Sequence, residues 1–223
     1  MLGIVVGMLL SAQTMIANTA SYSAAALARI CDLEETIDAH CKPYLAGVFE
    51  ETVAISVYDR GNQNRFCIGS TLDDRDLVSI FIDWVGDHPD NIDSPAVSAM
   101  AAALIDRYPC PMPVDRTRIK VRPATWVLGQ KCDSANQRDR DICRHYLLGV
   151  VDTSLLYREA RNRGYFCVPA FTSPSGEELV NAFARWWERN PGKHHYPAVN
   201  AARAVLTERF PCGPQDKPPR GPR

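Results

Sequence analysis

Residues 166–212 decide the fold of this 223-residue chain, and they read FCVPAFTSPSGEELVNAFARWWERNPGKHHYPAVNAARAVLTERFPC. Residues 66–110 carry the same pattern, so the chain contains two copies of one module. Matching residues lie 102 positions apart. They include Phe81 and Phe183, Trp84 and Trp186, Pro95 and Pro197, Arg107 and Arg209, Cys110 and Cys212, Tyr44 and Tyr146, and Gly47 and Gly149. Two modules of roughly 85 to 100 residues fit the length of the chain.

The repeat and the composition divide the chain into five segments. We expect a signal peptide over 1–28, a first module over 29–110, a linker over 111–126, a second module over 127–212 and a disordered tail over 213–223. The apolar run LGIVVGMLLSA at residues 2–12 has the length of a signal-peptide core, and small residues near Ala20 and at 26–28 suit cleavage. A buried N-terminal helix is the alternative, because no Lys or Arg precedes Arg29.

The spacing of apolar residues predicts an all-α fold, made of two tandem disulfide-stapled modules with about three to four helices each. The first helix carries Tyr44 or Tyr146 on its apolar stripe. The second follows Thr71 or Ser175, which are candidate N-caps. The third begins near Pro95 and Pro197 and ends before Pro109 and Pro211. A glycine inside the first helix of each copy, at Gly47 and Gly149, indicates that another helix crosses close by.

The eight cysteines, four in each copy, form no CxxC pair and have no histidine at ligand spacing. Disulfides are therefore favoured over a zinc site. The spacing leaves alternative pairings open, but cysteines at the start of helix two and the end of helix three share one end of an up-down-up bundle. We expect Cys31–Cys41 and Cys67–Cys110, repeated as Cys132–Cys143 and Cys167–Cys212.

Charge is split between the two halves of the chain. Residues 27–110 contain 6 basic and 15 acidic residues, a net charge of −9, whereas the rest of the chain carries +8. Opposite charge on two tethered modules predicts that they dock as an intramolecular pseudo-dimer, with apolar burial supplying most of the energy. If the acidic surface stays free, it is the candidate for contact with a cationic partner. Its clustered residues are Asp73, Asp74, Asp76, Asp87, Asp90 and Asp93.

No catalytic, metal or cofactor pattern is present in the sequence, and we expect no enzyme activity, no metal and no cofactor. Trp186 and Trp187 fall on the apolar stripe of helix two, which favours core packing over a ligand-stacking role. His194 and His195 lie in a turn between prolines, where an exposed pair is favoured over a metal site.

Short motifs in fixed order carry a family resemblance. The first helix contains Tyr-Leu-x-Gly-Val, residues 166–169 read Phe-Cys-x-Pro, and residues 210–212 read Phe-Pro-Cys. Over residues 27–110 and 128–212 this order resembles the Rap/Tai family of type VI secretion system amidase immunity proteins. The resemblance implies a helical, disulfide-bonded protein of the Gram-negative periplasm that binds and blocks a peptidoglycan amidase. We also expect no nucleic-acid partner, and no membrane span after the signal peptide is removed, because no other stretch of the chain could form a transmembrane helix.

Two classes of function stay open at this stage. The favoured class is an immunity protein, which works by surface complementarity and needs no catalytic group. The alternative is a periplasmic binding or scaffold module of the same fold that has no toxin partner. An unrecognised enzyme ranks behind both.

Overall fold

The computed structural model describes residues 21–58, 72–109, 125–161, 166–168 and 174–213. These residues are helical and contain an isolated bridge, Ser23 with Pro95, but no β-sheet, which confirms the all-α prediction. In the first module the helices are α1 (Ala24–Asp32), α2 (Glu34–Thr36), α3 (Lys42–Tyr58), α4 (Asp74–Asp87) and α5 (Ala96–Arg107). In the second they are α6 (Thr125–Cys132), α7 (Gln137–Arg161), α8 (Gly176–Arg189) and α9 (Ala198–Arg209). No helix in these ranges is long and apolar enough to cross a bilayer.

Helix α1 begins inside the 1–28 stretch that the sequence assigned to a signal peptide. Ser23 caps it by accepting a hydrogen bond from the backbone N–H of Ala26, and Leu27 is fully buried in the first core. The backbone N–H of Ala24 donates to the carbonyl of Ser94, at 2.8 Å. Residues 22–28 therefore belong to the folded first module. The second module repeats the arrangement in α6, where Thr125 N–H donates to the carbonyl of Tyr196 at 2.7 Å.

One of the two predicted N-caps is confirmed, and the matching helix of the other module is capped by a different residue. Ser175 caps α8 by accepting from the N–H of Glu178, as predicted. Thr71 lies outside the described residues, and the residue that caps α4 is Asp73, which forms a capping box with Asp76. The acidic side chain nearest the helix start takes the cap because its carboxylate reaches two backbone N–H groups.

Each module has its own apolar core, and disulfides fasten the helices around it. The pairs Cys31–Cys41, Cys132–Cys143 and Cys167–Cys212 form as predicted, with Cα–Cα distances of 5.1, 5.1 and 4.8 Å. The predicted Cys67–Cys110 pair lies outside the described residues. A π-helical turn, Ile37–Cys41, leads into α3 and carries one half of the first disulfide.

Helices α3 and α7 cross at the centre of the molecule and join the two modules. A Cβ atom on Gly47 would collide with the carbonyl oxygen of Tyr146, and one on Gly149 would collide with the carbonyl oxygen of Tyr44. The close crossing predicted from the paired glycines is therefore confirmed, and it is symmetric. Beyond the crossing, each helix reaches the other module, since Ala54 of α3 packs in the second core. The chain is an intramolecular pseudo-dimer built on this contact.

Candidate partner-binding surface

Two buried tyrosine–carboxylate pairs flank the helix crossing and repeat each other by the 102-residue offset. Tyr44 Oη donates to Asp152 Oδ2 at 2.7 Å, and Tyr146 Oη donates to Glu50 Oε2 at 2.6 Å. Both carboxylates are 3% exposed. Burial raises the pKa of Asp152 to about 6 and raises the pKa of Glu50 well above its ordinary value. These pairs hold the two long helices in register.

A third buried polar cluster breaks the symmetry of the interface. Arg203 of α9 donates to Glu51 of α3 through Nε at 2.8 Å and Nη2 at 3.0 Å, and Ser154 Oγ donates to the same carboxylate at 2.6 Å. Burial raises the pKa of Glu51, while Arg203 opposes that rise. The equivalent residues in the other copy are Thr153 and Ala101, so this ion pair occurs on one side of the crossing. It joins an acid of the first module to a base of the second.

An open cleft of about 570 Å³ lies between the modules, beside Glu50. Its lining comes from four helices: Lys42, Phe49 and Glu50 of α3, Asp74 of α4, Lys131 of α6, and Ile142 and Tyr146 of α7. Asp73, which caps α4, stands on the same lining. The lining of the cleft therefore combines apolar side chains with charges of both signs.

The equivalent position on the other side of the crossing is filled by the chain itself. His145 stacks on His40 with ring centroids 4.2 Å apart, and Tyr22 lies over His145 at 6.2 Å. Burial lowers the pKa of His145 to about 4, so this ring stays neutral. The residues matching His145 and His40 in the open cleft are Pro43 and Ile142, which lack rings to stack. Ser21 and Tyr22 thus seal one cleft and leave its counterpart open.

A second surface lies on the outer face of the first module, where α4 and α5 enclose a groove of about 580 Å³. Four carboxylates line it: Asp76, Asp83, Asp87 and Asp106. We call it the acidic groove. Trp84 forms part of its wall, donating from Nε1 to Asp106 Oδ2 at 2.8 Å and stacking on His88 at 4.3 Å. Arg107 is the one Lys or Arg among the described residues that line the groove, so its net charge is negative.

The same groove in the second module has the opposite charge. There a space of about 140 Å³ lies between α8 and α9. Asp83 and Asp87 are replaced by Arg185 and Arg189, while Glu208 and Arg209 keep the signs of their counterparts. The lining of the first groove sums to −3 (four carboxylates and Arg107) and that of the second to +2 (three arginines and Glu208), so part of the charge split seen in the sequence lies on these two equivalent grooves. It lies apart from the helix crossing.

The structure divides the six acidic residues predicted as a partner-binding cluster. Asp76 and Asp87 line the acidic groove, whereas Asp73 and Asp74 line the cleft between the modules. Asp90 and Asp93 are exposed in the turn after α4 and line neither space. The two ends of the 14-residue helix α4 are about 20 Å apart, so the six do not form one cluster.

Sequence reasoning missed two groove residues, Asp83 and Asp106. A signal for Asp83 was present, since Asp83 and Asp87 are four residues apart on one helix and both change to arginine at the 102-residue offset. Asp106 gave no such signal, because its equivalent, Glu208, is also acidic. Across the described ranges, no group of three or more His, Cys, Asp or Glu side chains is arranged to hold a metal ion.

The predicted core residues lie where the sequence placed them, but one of the two turn histidines does not. Trp186 is buried in the second core, and Trp187 packs against that core and stacks on His194 at 4.6 Å. His195 is exposed. These side chains support the fold of the second module.

Comparison with known proteins divides the chain into the same two modules. The sequence profile of the Rap1a immunity proteins matches residues 23–110 and again residues 127–212. Searches among curated proteins and among solved structures returned no significant match. The two matched regions coincide with the two helical modules described above and together cover most of the 223 residues. The chain therefore belongs to the Rap1a immunity protein family and carries the family module in two tandem copies.

Proposed function

We propose that this protein is a periplasmic immunity protein that binds and inhibits a peptidoglycan amidase delivered by a type VI secretion system. The observation that carries the proposal is the family match over both modules. An immunity protein protects the cell that makes it by occupying the effector, so it needs a complementary surface and no catalytic group. The amidase as target follows from the resemblance of the motifs in each copy.

The disulfides support the periplasm as the site of action. Each described cysteine is in a disulfide, and such bonds persist in oxidising compartments such as the bacterial periplasm. A peptidoglycan amidase acts in that same compartment. Effector and inhibitor would therefore meet after both had left the cytoplasm.

The duplication supports a single chain as the working unit. The crossing of α3 and α7 buries the face of each module that carries its repeated glycine, so this face is not available to a partner. Partner contact then falls on the surfaces that the crossing leaves open. These are the cleft beside Glu50 and the two outer grooves.

Among these surfaces we assign the effector contact to the acidic groove. A groove lined by four carboxylates and one arginine produces a negative potential, which attracts and orients a partner with a cationic rim. Trp84 adds an aromatic wall, and aromatic side chains are enriched where interfaces gain most of their binding energy. The equivalent basic groove of the second module would repel the same rim, so one effector per chain is expected.

Charge reversal in the groove tests this assignment in a binding assay with a type VI secreted peptidoglycan amidase. Asp83→Lys combined with Asp87→Lys should weaken binding at least tenfold, mainly through a slower association rate that depends on salt. The matched control is Glu34→Lys with Glu35→Lys, which makes the same charge change at exposed positions of α2 that line none of the three spaces. The control should bind within about twofold of wild type.

The two parts of the proposal fail in different ways. Tight binding that survives the groove substitutions would move the contact elsewhere and leave the immunity function standing. Absence of binding by the wild-type chain at micromolar concentration would reject the amidase as the target.

A further inference from the structure

The buried carboxylate of Asp152 is bound by the first described residue of the chain. Ser21 donates to it twice, from the backbone nitrogen to Oδ2 at 2.9 Å and from Oγ to Oδ1 at 3.1 Å. Tyr44 Oη completes the set at 2.7 Å. In the part of the chain that the structure describes, no Lys, Arg or His side chain forms an ion pair with Asp152. All the donors that reach this carboxylate are neutral.

The other buried carboxylates of the interface show how unusual this environment is. Glu51 is fully buried and is paired with the guanidinium of Arg203. Glu50, the counterpart of Asp152, stands beside the open cleft. Asp152 is in no ion pair with a described cationic side chain and does not line the open cleft; Ser21 binds its carboxylate directly. Removing a carboxylate from water without a countercharge is costly, so this site favours a cation at the position of the Ser21 nitrogen.

The sequence around Ser21 supplies a way to place a positive charge there. Ser21 directly follows Ala20, in the region of small residues suited to cleavage after an apolar leader. Cleavage at 26–28 would instead remove Ala24 and cut beside Leu27, both fully buried, and would delete the Ser23 cap of α1. The folded module therefore favours a cleavage point on the N-terminal side of Ser23.

We infer that a signal peptidase hydrolyses the Ala20–Ser21 bond and that the new α-ammonium group of Ser21 becomes the counter-ion of Asp152. In this reaction water attacks the carbonyl carbon of Ala20 and the C–N bond breaks. The hydroxyl stays on the Ala20 carboxyl group, and the Ser21 nitrogen leaves as an amine that takes up a proton near neutral pH. The nitrogen already lies 2.9 Å from Oδ2, so the ion pair forms without rearrangement.

Processing would in this way lock the two modules together. Asp152 belongs to α7 of the second module, whereas Ser21 leads into α1 of the first. Tyr22 packs edge-on against Tyr44 at 5.2 Å and continues the same contact. The precursor, with an amide in place of the ammonium group, lacks the countercharge and should be less stable than the mature protein. This inference does not depend on which effector the protein binds.

The first test is the mass of the protein purified from the periplasm after expression with its own leader. We expect a chain that begins at Ser21. A chain that begins at any other residue overturns the inference.

The second test compares the chain beginning at Ser21 with the same chain carrying an Nα-acetyl group, added by an N-terminal acetyltransferase. Acetylation keeps one N–H donor at the same atom, as in the amide of the precursor, and removes the positive charge. We expect the unfolding equilibrium constant to rise by roughly tenfold to a hundredfold. In the Asp152→Asn variant acetylation should change it by less than about twofold. In the matched Glu50→Gln variant the full effect should remain. An equal effect of acetylation with and without the Asp152 carboxylate contradicts the ion pair.

A titration of the ¹⁵N-labelled Ser21 amine decides the question even if the Asp152 variant does not fold. Pairing with a buried carboxylate should raise the pKa of this amine above its ordinary value of about 8, and a value at or below that figure overturns the proposal. The other titratable groups around the site are Tyr22, Tyr44, His145, His40, Arg144 and Asp141, so the resonance of Ser21 itself must be followed.

Discussion

Placing a methyl group at the helix crossing is the sharpest test of how the two modules are joined. In Gly47→Ala the new Cβ would overlap the carbonyl oxygen of Tyr146, and it would lie 3.1 Å from that carbonyl carbon and 3.2 Å from the backbone nitrogen of Val150. All three atoms belong to the backbone of α7, so none can rotate away. An ordinary Cβ–oxygen contact needs about 3.3 Å, so the helices would have to move apart by roughly 1 Å.

The size of the effect follows from two opposing contributions. Overpacking costs about 1 to 3 kcal/mol, and the rigid backbone neighbour places this site near the upper end. Alanine is favoured over glycine inside a helix by about 1 kcal/mol. We therefore expect Gly47→Ala to lower the free energy of unfolding by about 2 kcal/mol. Gly149→Ala should act alike, since its Cβ would lie 2.9 Å from the backbone nitrogen of Val48.

The chain provides a matched control in Gly86, which lies inside α4 and where an added Cβ atom would meet no described atom within 4 Å. Gly86→Ala should raise the free energy of unfolding by up to about 1 kcal/mol. Urea unfolding followed by circular dichroism measures all three variants. If Gly47→Ala proves neutral or stabilising, like Gly86→Ala, then α3 and α7 do not cross as closely as described.

Three further predictions concern the buried polar groups and the disulfides. Glu51→Gln should lower the free energy of unfolding by about 3 to 5 kcal/mol, because it removes one partner of the buried ion pair with Arg203. Glu208→Gln, in an exposed ion pair, should lower it by less than about 1 kcal/mol. Equal costs in urea unfolding would contradict the buried pair. Between its folded pKa of about 4 and its ordinary value of 6.5, His145 is neutral in the folded protein and protonated in the unfolded chain. The free energy of unfolding of the wild type should therefore fall as pH drops through that window, by up to about 3 kcal/mol more than that of His145→Asn. Parallel stability–pH curves for the two proteins would refute this. Exported protein should show no free thiol on labelling in denaturant without reductant, and modification of two or more cysteines would contradict the four predicted disulfides.

The helices and their close crossing could be predicted because the residues that indicate them occur in both copies of the module. A repeat turns short motifs into a reliable pattern, and a glycine that recurs inside a helix has few reasons to be there other than close approach. Helix α1 was harder, since its first residues, AAALA at 24–28, have the composition of a leader as well as that of a helix. What distinguishes a folded helix from a leader here is the packing of this segment against the turn before α5.

The polar centre of the interface could not be predicted from residue type. Nothing in the sequence indicates that Glu50, Glu51 and Asp152 are buried, because the identity of a carboxylate does not reveal whether a tyrosine or an arginine from another helix contacts it. Charge gave a partial answer. The charge pattern correctly indicated an acidic surface on the first module, and most of the acidic groove faces solvent. Charge was also expected to orient the docking of the modules, but they meet at the glycine crossing instead.

The most direct test of the immunity function is a titration of a type VI secreted peptidoglycan amidase with the mature protein, following hydrolysis of purified peptidoglycan. We expect activity to fall linearly and to vanish near one chain per amidase molecule when both are well above the dissociation constant. The Asp83→Lys, Asp87→Lys variant should need a large excess, and the Glu34→Lys, Glu35→Lys variant should behave as wild type. Full amidase activity in the presence of excess wild-type protein would contradict the proposed function.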